Sequence, residues 1–115
     1  MAARANIVID AGSDFSTTIT VRDTEGEVQD LAGYTAAGQI RKSYSSLTAT
    51  SFTTVFENPR QSGQLTIKLS RDLTANMEPG KYVYDVEITD LNDVRSRLVE
   101  GIVTVTPQVT LIEGT

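Results

Sequence analysis

The chain alternates apolar and polar residues along several short stretches, which is the period of a β-strand with one buried face. The clearest stretch spans residues 81–89, where every second residue is apolar: Tyr82, Tyr84, Val86 and Ile88. Residues 15–22 alternate in the same way from Phe15 to Val21. In all, the pattern predicts about seven strands, near residues 6–10, 15–22, 34–41, 50–56, 64–70, 81–89 and 94–106. Strands at such regular spacing are typical of a Greek-key β-sandwich.

One short segment lacks this alternation. Ser70 is a good helix N-cap, and it predicts one helical turn running to Met77. We expect Leu73 and Met77 to be tucked beneath this turn. The predicted fold class is therefore all-β, an immunoglobulin-like Greek-key sandwich of about seven strands with one short helical turn.

Two strands depart from simple alternation. Residues 50–56 carry apolar side chains on both faces, so their register stays open. In the last strand, Leu98 is in phase with Ile102 but not with Val103, and a β-bulge at Gly101 would explain the slip. The small residue Gly38 predicts a close approach of another layer.

The inward positions predict the core. We expect nine side chains to be buried together: Phe15, Ile19, Val21, Ile40, Leu65, Ile67, Tyr84, Val86 and Ile88. On the opposite face of the hairpin formed by residues 81–106, the arginines Arg95 and Arg97 are expected to pair with Asp85 and Glu87.

A structural corner is predicted at the start of the clearest strand. Pro79 and Gly80 form a turn signal, and Tyr82 follows it at the position of the tyrosine corner of immunoglobulin-like sandwiches. Its hydroxyl is expected to bond backbone near Glu78 or Pro79. Tyr84 then occupies the position at which those domains carry a core cysteine.

The predicted strands also divide the chain. Residues 1–5 are expected to form an N-terminal tail, residues 6–107 the sandwich domain, and residues 108–115 a C-terminal tail beyond Pro107. That last tail carries Val109, Leu111 and Ile112, although disordered tails are usually polar. We therefore predict an assembly contact at these three residues. The alternatives are that the tail folds back on its own domain or frays.

Composition excludes several classes of function. The net charge of −5 argues against binding to nucleic acid or to acidic membranes, and no segment resembles a signal peptide or a membrane span. The absence of cysteine and histidine removes the usual nucleophile, base and zinc ligands. We expect no enzyme activity, no cofactor and no metal.

Three groups of polar or aromatic residues admit a functional interpretation. A calcium site at one end of the sandwich could draw on Asp10, Asp14, Glu87, Asp90, Asn92 and Asp93, but residues 90–93 lack the spacing of a known calcium loop. Asp85 and Glu87 resemble a glycosidase pair but lie on an exposed strand face. Four aromatic residues could line a sugar platform, although core packing is the favoured role: Tyr34, Tyr44, Phe52 and Phe56.

Six segments, in this order, carry a resemblance. They are residues 12–15 (GSDF), 21–26 (VRDTEG), 30–36 (DLAGYTA), 39–42 (QIRK), 79–85 (PGKYVYD) and 101–107 (GIVTVTP). Together they resemble the immunoglobulin-like modules of tailed-bacteriophage virion proteins, of the kind found at the N-terminus of baseplate and tail-fibre proteins.

This resemblance implies a non-enzymatic virion structural protein. The expected role is an adaptor of the tail, in the baseplate or at the tail-fibre attachment, made in the host cytoplasm and bound to other virion proteins in a symmetric homo-oligomer. The alternatives are a capsid decoration or neck protein, or a small carbohydrate- or receptor-binding module. The resemblance brings no catalytic residues with it.

Overall fold

The computed structural model describes residues 3–110, which form an all-β sandwich of two sheets. Its strands are β1 (Ala3–Arg4), β2 (Ile7–Asp10), β3 (Phe15–Thr20), β4 (Thr35–Arg41), β5 (Thr50–Ser51), β6 (Thr53–Phe56), β7 (Gln64–Leu69), β8 (Gly80–Thr89) and β9 (Arg95–Thr106). A 3-10 turn covers Arg60–Ser62, and one helix, α1, covers Arg71–Ala75. The predicted immunoglobulin-like Greek-key class is confirmed.

The two sheets differ in size. The large sheet has the order β1-β9-β8-β4-β5, and β2 pairs with β9 beside β1. The small sheet has the order β3-β7-β6. Strands β1 and β2 run parallel to β9, whereas the other pairs are antiparallel.

The structure has nine strands instead of the seven predicted ones, because residues 50–56 divide into two strands and β1 is an additional strand. Residues 50–56 begin in the large sheet as β5 and continue in the small sheet as β6, with Phe52 buried at the crossing. A strand that changes sheets turns first one face and then the other towards the core, which explains its two apolar faces. Gly38 lies under this crossing, where a Cβ atom would be 3.0 Å from the Phe52 ring.

The N-terminal boundary predicted from the sequence is wrong. Ala3 and Arg4 form β1 rather than a tail, and the Ala5 amide donates to the Glu100 carbonyl over 2.9 Å. The pattern missed β1 because both of its side chains are exposed, so the strand is held by backbone pairing and not by an apolar face. The domain described by the structure therefore includes residues 3–5.

The predicted core is confirmed for seven of its nine residues. Ile67, Leu65 and Val86 are fully buried, and the core continues through residues of β2, β9 and the segment before β4: Ile9, Leu31, Val99, Val103 and Val105. Phe15 and Ile19 are only half-buried, although both contact the core. They belong to β3, which lies at an edge of the small sheet.

The β-bulge in the last strand lies at Leu98 rather than at Gly101. Val86 pairs with Val99 and Glu87 with Arg97, so Leu98 is the extra residue. Gly101 remains in register opposite Tyr84. The lack of a side chain at Gly101 has another reason, because a Cβ atom there would overlap the carbonyl oxygen of Ala5.

The predicted helical turn is present, but one of the two side chains expected beneath it is exposed. Ser70 is its N-cap, and its hydroxyl accepts from the Leu73 amide over 3.4 Å. Met77 is buried as expected, but Leu73 is exposed. Thr74 is fully buried instead, because its hydroxyl donates to the Ser13 carbonyl in the loop between β2 and β3. Within residues 3–110, no helix is long and apolar enough to cross a membrane.

Candidate functional site

The predicted corner at the start of β8 has the expected geometry. The Tyr82 hydroxyl donates to the Glu78 carbonyl over 2.7 Å, and Gly80 has φ of +139°, which an L side chain rarely adopts. The ammonium of Lys42 lies 4.5 Å from the centre of the Tyr82 ring. Partial burial, with the nearby charge of Glu78, raises the pKa of the Tyr82 hydroxyl. The corner connects the loop after α1 to β8, and its role is structural.

Tyr84 occupies the core position two residues further along β8. It is 5% exposed, and its ring meets Phe52 edge to face at 6.1 Å. Its hydroxyl donates to the Ala5 carbonyl over 2.6 Å, so it links the core to the segment between β1 and β2. Burial raises the pKa of this hydroxyl. At the position where immunoglobulin domains carry a core cysteine, Tyr84 thus makes a hydrogen bond to the N-terminal segment.

Replacing Tyr82 by phenylalanine tests the corner. We expect Tyr82→Phe to lower the free energy of unfolding by about 0.5–1.5 kcal/mol, because the ring stays in place while the bond to Glu78 is lost. Urea titration followed by circular dichroism measures the change. Tyr44→Phe is the matched control, since Tyr44 is 79% exposed. Equal stabilities of the two variants and the wild type would contradict a stabilising corner.

The small sheet has an unpaired edge at β3. The Val21 amide donates to the Gly63 carbonyl, so the odd-numbered residues of β3 direct their backbone groups towards β7. In an antiparallel pair the alternate residues direct theirs away. Ser16, Thr18 and Thr20 therefore present N–H and C=O groups on the side where the described part of the chain places no strand.

A groove of about 570 Å³ runs beside this edge, between the two sheets. Ile19 and Ile67 contribute the wall from the small sheet, and Ile7, Leu98 and Val99 contribute the wall from the large sheet. The groove is mainly apolar, and Arg22 lies at one end of it. An open strand edge next to apolar side chains is a site at which a strand from another chain can pair.

On the opposite side of the sandwich, the edge strands β5 and β6 are joined by the chain itself. There the chain from β5 to β6 passes from one sheet to the other, and the Thr54 hydroxyl donates to the Ala36 carbonyl across the junction. The two sides of the molecule therefore differ in what they offer a partner. The open edge is not predictable from the sequence, because nothing in the alternation of β3 shows on which side a neighbouring strand is missing.

The outer face of the large sheet carries a smaller cleft of about 190 Å³. Gln39, Arg41, Asp85 and Glu100 line it, and Tyr44 stands at its side. Most of its charged groups already have partners: Arg97 contacts Asp85 at 3.2 Å and Glu100 at 3.4 Å, and Arg41 contacts Gln39. The predicted pairing of Arg97 across the hairpin is thus confirmed for Asp85.

The four aromatic residues considered for a sugar platform are not brought together. Phe52 is buried between Phe15 and Tyr84, and the guanidinium of Arg60 covers Phe56 at 4.3 Å. Tyr34 is half-buried against the core. Only Tyr44, of these four, presents an open ring.

Three of the carboxylates considered for calcium already have other partners. Asp14 pairs with Arg71 at 3.3 Å, Asp10 accepts from the Thr106 hydroxyl, and Asp90 accepts from the amides of its own turn at Asn92 and Val94. Across residues 3–110, no group of three or more His, Cys, Asp or Glu side chains is arranged to hold a metal ion.

The predicted assembly tail is described only in its first residues. Val109 is 94% exposed, while Leu111 and Ile112 lie outside the described residues. The chain leaves the domain at the loop between β2 and β3, where the Gln108 side chain fills the space beside Gly12.

Comparison with known proteins shows the fold. No protein-family model matches the sequence, and no curated protein sequence matches it. Among solved structures, the chain is similar to an internalin-like protein of Listeria monocytogenes, with a TM-score of 0.50 and 16% identity over 91% of this chain. It is also similar to the SrpA adhesin of Streptococcus sanguinis, with a TM-score of 0.53 and 11% identity over 89% of this chain. The chain spans 28% and 55% of the lengths of those two structures.

Proposed function

We propose that this protein is a non-enzymatic structural module of a tailed-bacteriophage virion. Its role is an adaptor of the tail, in the baseplate or at the tail-fibre attachment, and it assembles through protein–protein contacts. The observation that carries the adaptor role is the unpaired edge of β3 beside the apolar groove. An edge of this kind invites strand pairing with a neighbour. The assignment to a phage tail rests on the resemblance of the six sequence segments.

The surface supports a role in assembly rather than in catalysis. Several large apolar side chains are exposed away from the core, including Val8, Leu91 and Val109. The polar cleft on the outer face of the large sheet is lined by carboxylates paired with Arg97, and the chain has no histidine or cysteine to act as a base or nucleophile. A symmetric virion part repeats one contact in every copy, so a weak pairwise contact is sufficient.

Mass spectrometry of purified virions tests this proposal. The protein should be found in particles of the phage that encodes it, in a fixed ratio to the other tail proteins. A non-structural protein of the same phage is the control and should be absent. If washed particles lack the protein, the proposal is wrong. If the protein is present, a particle reconstruction would distinguish a location in the tail from the alternative locations in the neck and the capsid.

The tail residues provide a second test. A variant that lacks residues 109–115 should remain folded, because Gln108 still covers Gly12, but it should be absent from particles or reduced in them. The measurement is the ratio of the variant to an unchanged tail protein, with Leu47→Asp as the control for altering an exposed apolar residue. Normal incorporation of the shortened chain would show that the tail is not an assembly element.

One observation favours a second candidate, a small carbohydrate-binding module. Tyr44 exposes its ring beside the cleft formed by Gln39, Arg41, Asp85 and Glu100, and a sugar ring stacked on it would meet hydrogen-bonding groups. Binding on a glycan array that is lost in Tyr44→Ala would support this function. An array without signal would leave the adaptor role as the better proposal.

A further inference from the structure

We propose that the open edge of β3 is the acceptor for a strand formed by residues 109–112 of a second copy of this chain. This inference rests on the proposed function, since it names the partner and the contact of the adaptor. The acceptor consists of the outward backbone groups of Ser16, Thr18 and Thr20 together with the groove beside them. An added strand would pair with the backbone and place alternate side chains in the groove.

The tail fits the acceptor in length and chemistry. Residues 16–20 present an edge of about 17 Å, which a strand of four or five residues covers. Residues 109–112 read Val-Thr-Leu-Ile, an uncharged segment of residues that favour strands. Every second side chain of such a strand faces the groove, where the half-buried side chains of Ile7, Ile19 and Leu98 can contact an apolar partner.

Val109 indicates that the donor is another copy rather than the same chain. Gln108 lies at Gly12, next to the start of β3, so a tail that folded back on its own β3 would already contact it at Val109. Val109 is instead 94% exposed, and Thr110 is exposed as well. Its own domain thus leaves the Val109 side chain uncovered.

Charge favours one direction of the added strand. Arg22 lies at the end of the groove next to Thr20, whereas Asp14 precedes the start of β3. A strand parallel to β3 brings Glu113, which follows the apolar segment, towards Arg22. An antiparallel strand would bring Glu113 towards Asp14. Asp14 already pairs with Arg71 at 3.3 Å, whereas Arg22 forms no ion pair within residues 3–110. Opposite charges on neighbouring strands stabilise pairing, so we infer the parallel arrangement.

Reciprocal complementation of full-length chains tests the contact. Thr18→Pro removes an outward N–H of the acceptor but leaves the donor tail intact. Leu111→Asp places a charge in the donor segment but leaves the acceptor intact. The wild type should associate in a concentration-dependent manner by analytical ultracentrifugation. Each variant alone should associate at least roughly tenfold more weakly, as expected for the loss of one buried leucine or one edge pairing.

Mixing the two variants is the decisive measurement. Thr18→Pro supplies intact tails and Leu111→Asp supplies intact edges, so the mixture should form a 1:1 complex. Leu47→Asp is the matched control, because Leu47 is 99% exposed and distant in sequence from the tail, and it should associate like the wild type. Because each copy carries a charge of −5, the measurements are made at physiological salt, where repulsion between copies is screened.

The possible outcomes separate this inference from the proposed function. A wild type that stays monomeric, or variants whose mixture forms no complex, would overturn the inference, while detection in virions would still support the adaptor. Ser16→Pro repeats the test at a neighbouring outward N–H should Thr18→Pro misfold. For the direction of the strand, Arg22→Glu should weaken association and Glu113→Lys should restore it in the same chain. Absence of that rescue would contradict the parallel arrangement.

Discussion

Replacing Ile67 by alanine is expected to lower the free energy of unfolding by about 2–5 kcal/mol. Ile67 is fully buried in β7, the central strand of the small sheet, and it pairs with Thr17 and Thr54. Neighbours on both sides hold the backbone in place, so the space left by the missing atoms cannot close fully. The loss therefore includes both the transfer of the side chain and the remaining cavity. Urea unfolding followed by far-ultraviolet circular dichroism measures it.

Ile102→Ala is the matched control for this experiment. Ile102 lies in β9 on the outer face of the large sheet and is 38% exposed. The same atoms are removed there from a partly hydrated position, so we expect a loss below about 1 kcal/mol. Equal losses at the two positions would show that the inward face of β7 is not part of the core.

Gly101→Ala is expected to have the second largest effect, about 1–3 kcal/mol, for the opposite reason. The added methyl group would overlap the carbonyl oxygen of Ala5, which is backbone and cannot rotate away. That oxygen accepts the Tyr84 hydroxyl over 2.6 Å, and the Ala5 amide donates to Glu100. Relieving the overlap therefore moves the segment between β1 and β2 away from β9 and strains both bonds.

A double-mutant cycle tests this explanation. In a chain that lacks residues 1–5, the methyl group of Gly101→Ala meets no Ala5 carbonyl, so the substitution should become nearly neutral. The unfolding free energies of the four chains give the coupling between the two changes. Both single variants disturb the hydrogen bond from the Tyr84 hydroxyl to the Ala5 carbonyl. If both act through Ala5, the double variant loses this bond only once, and the two changes are coupled. An undiminished cost in the shortened chain would locate the strain elsewhere.

The alternation of apolar and polar residues correctly predicts a strand and its inward side chains wherever one face of the strand is buried. Residues 81–89 form β8 with Tyr84, Val86 and Ile88 inward, because hydration penalises the reverse arrangement for every apolar side chain at once. The corner at Tyr82 was also predictable, since its turn signal and its hydrogen-bond partner lie within a few residues. Local rules are sufficient when both partners of an interaction are close in sequence.

Other features depended on partners distant in the chain. Strand β1 has no apolar face, and it exists because the backbone of β9 is available beside it. The division of residues 50–56 between two sheets follows from the positions of β4 and β7. The phase of the apolar residues in the last strand predicts a bulge at Gly101, but the close approach of Ala5 is what requires a glycine there. None of these contacts produces a periodic pattern of residues in the sequence.

The same division applies to the candidate site. The sequence by itself determined seven strand segments, most of the core, the corner and the apolar character of the tail, because each depends on side-chain chemistry within a short stretch of chain. Only the tertiary structure decided that β3 has an open edge, that a groove lies beside it and that Val109 is left uncovered. An edge is defined by which strand is absent from a sheet, and that is settled by the packing of the whole chain rather than by any one segment.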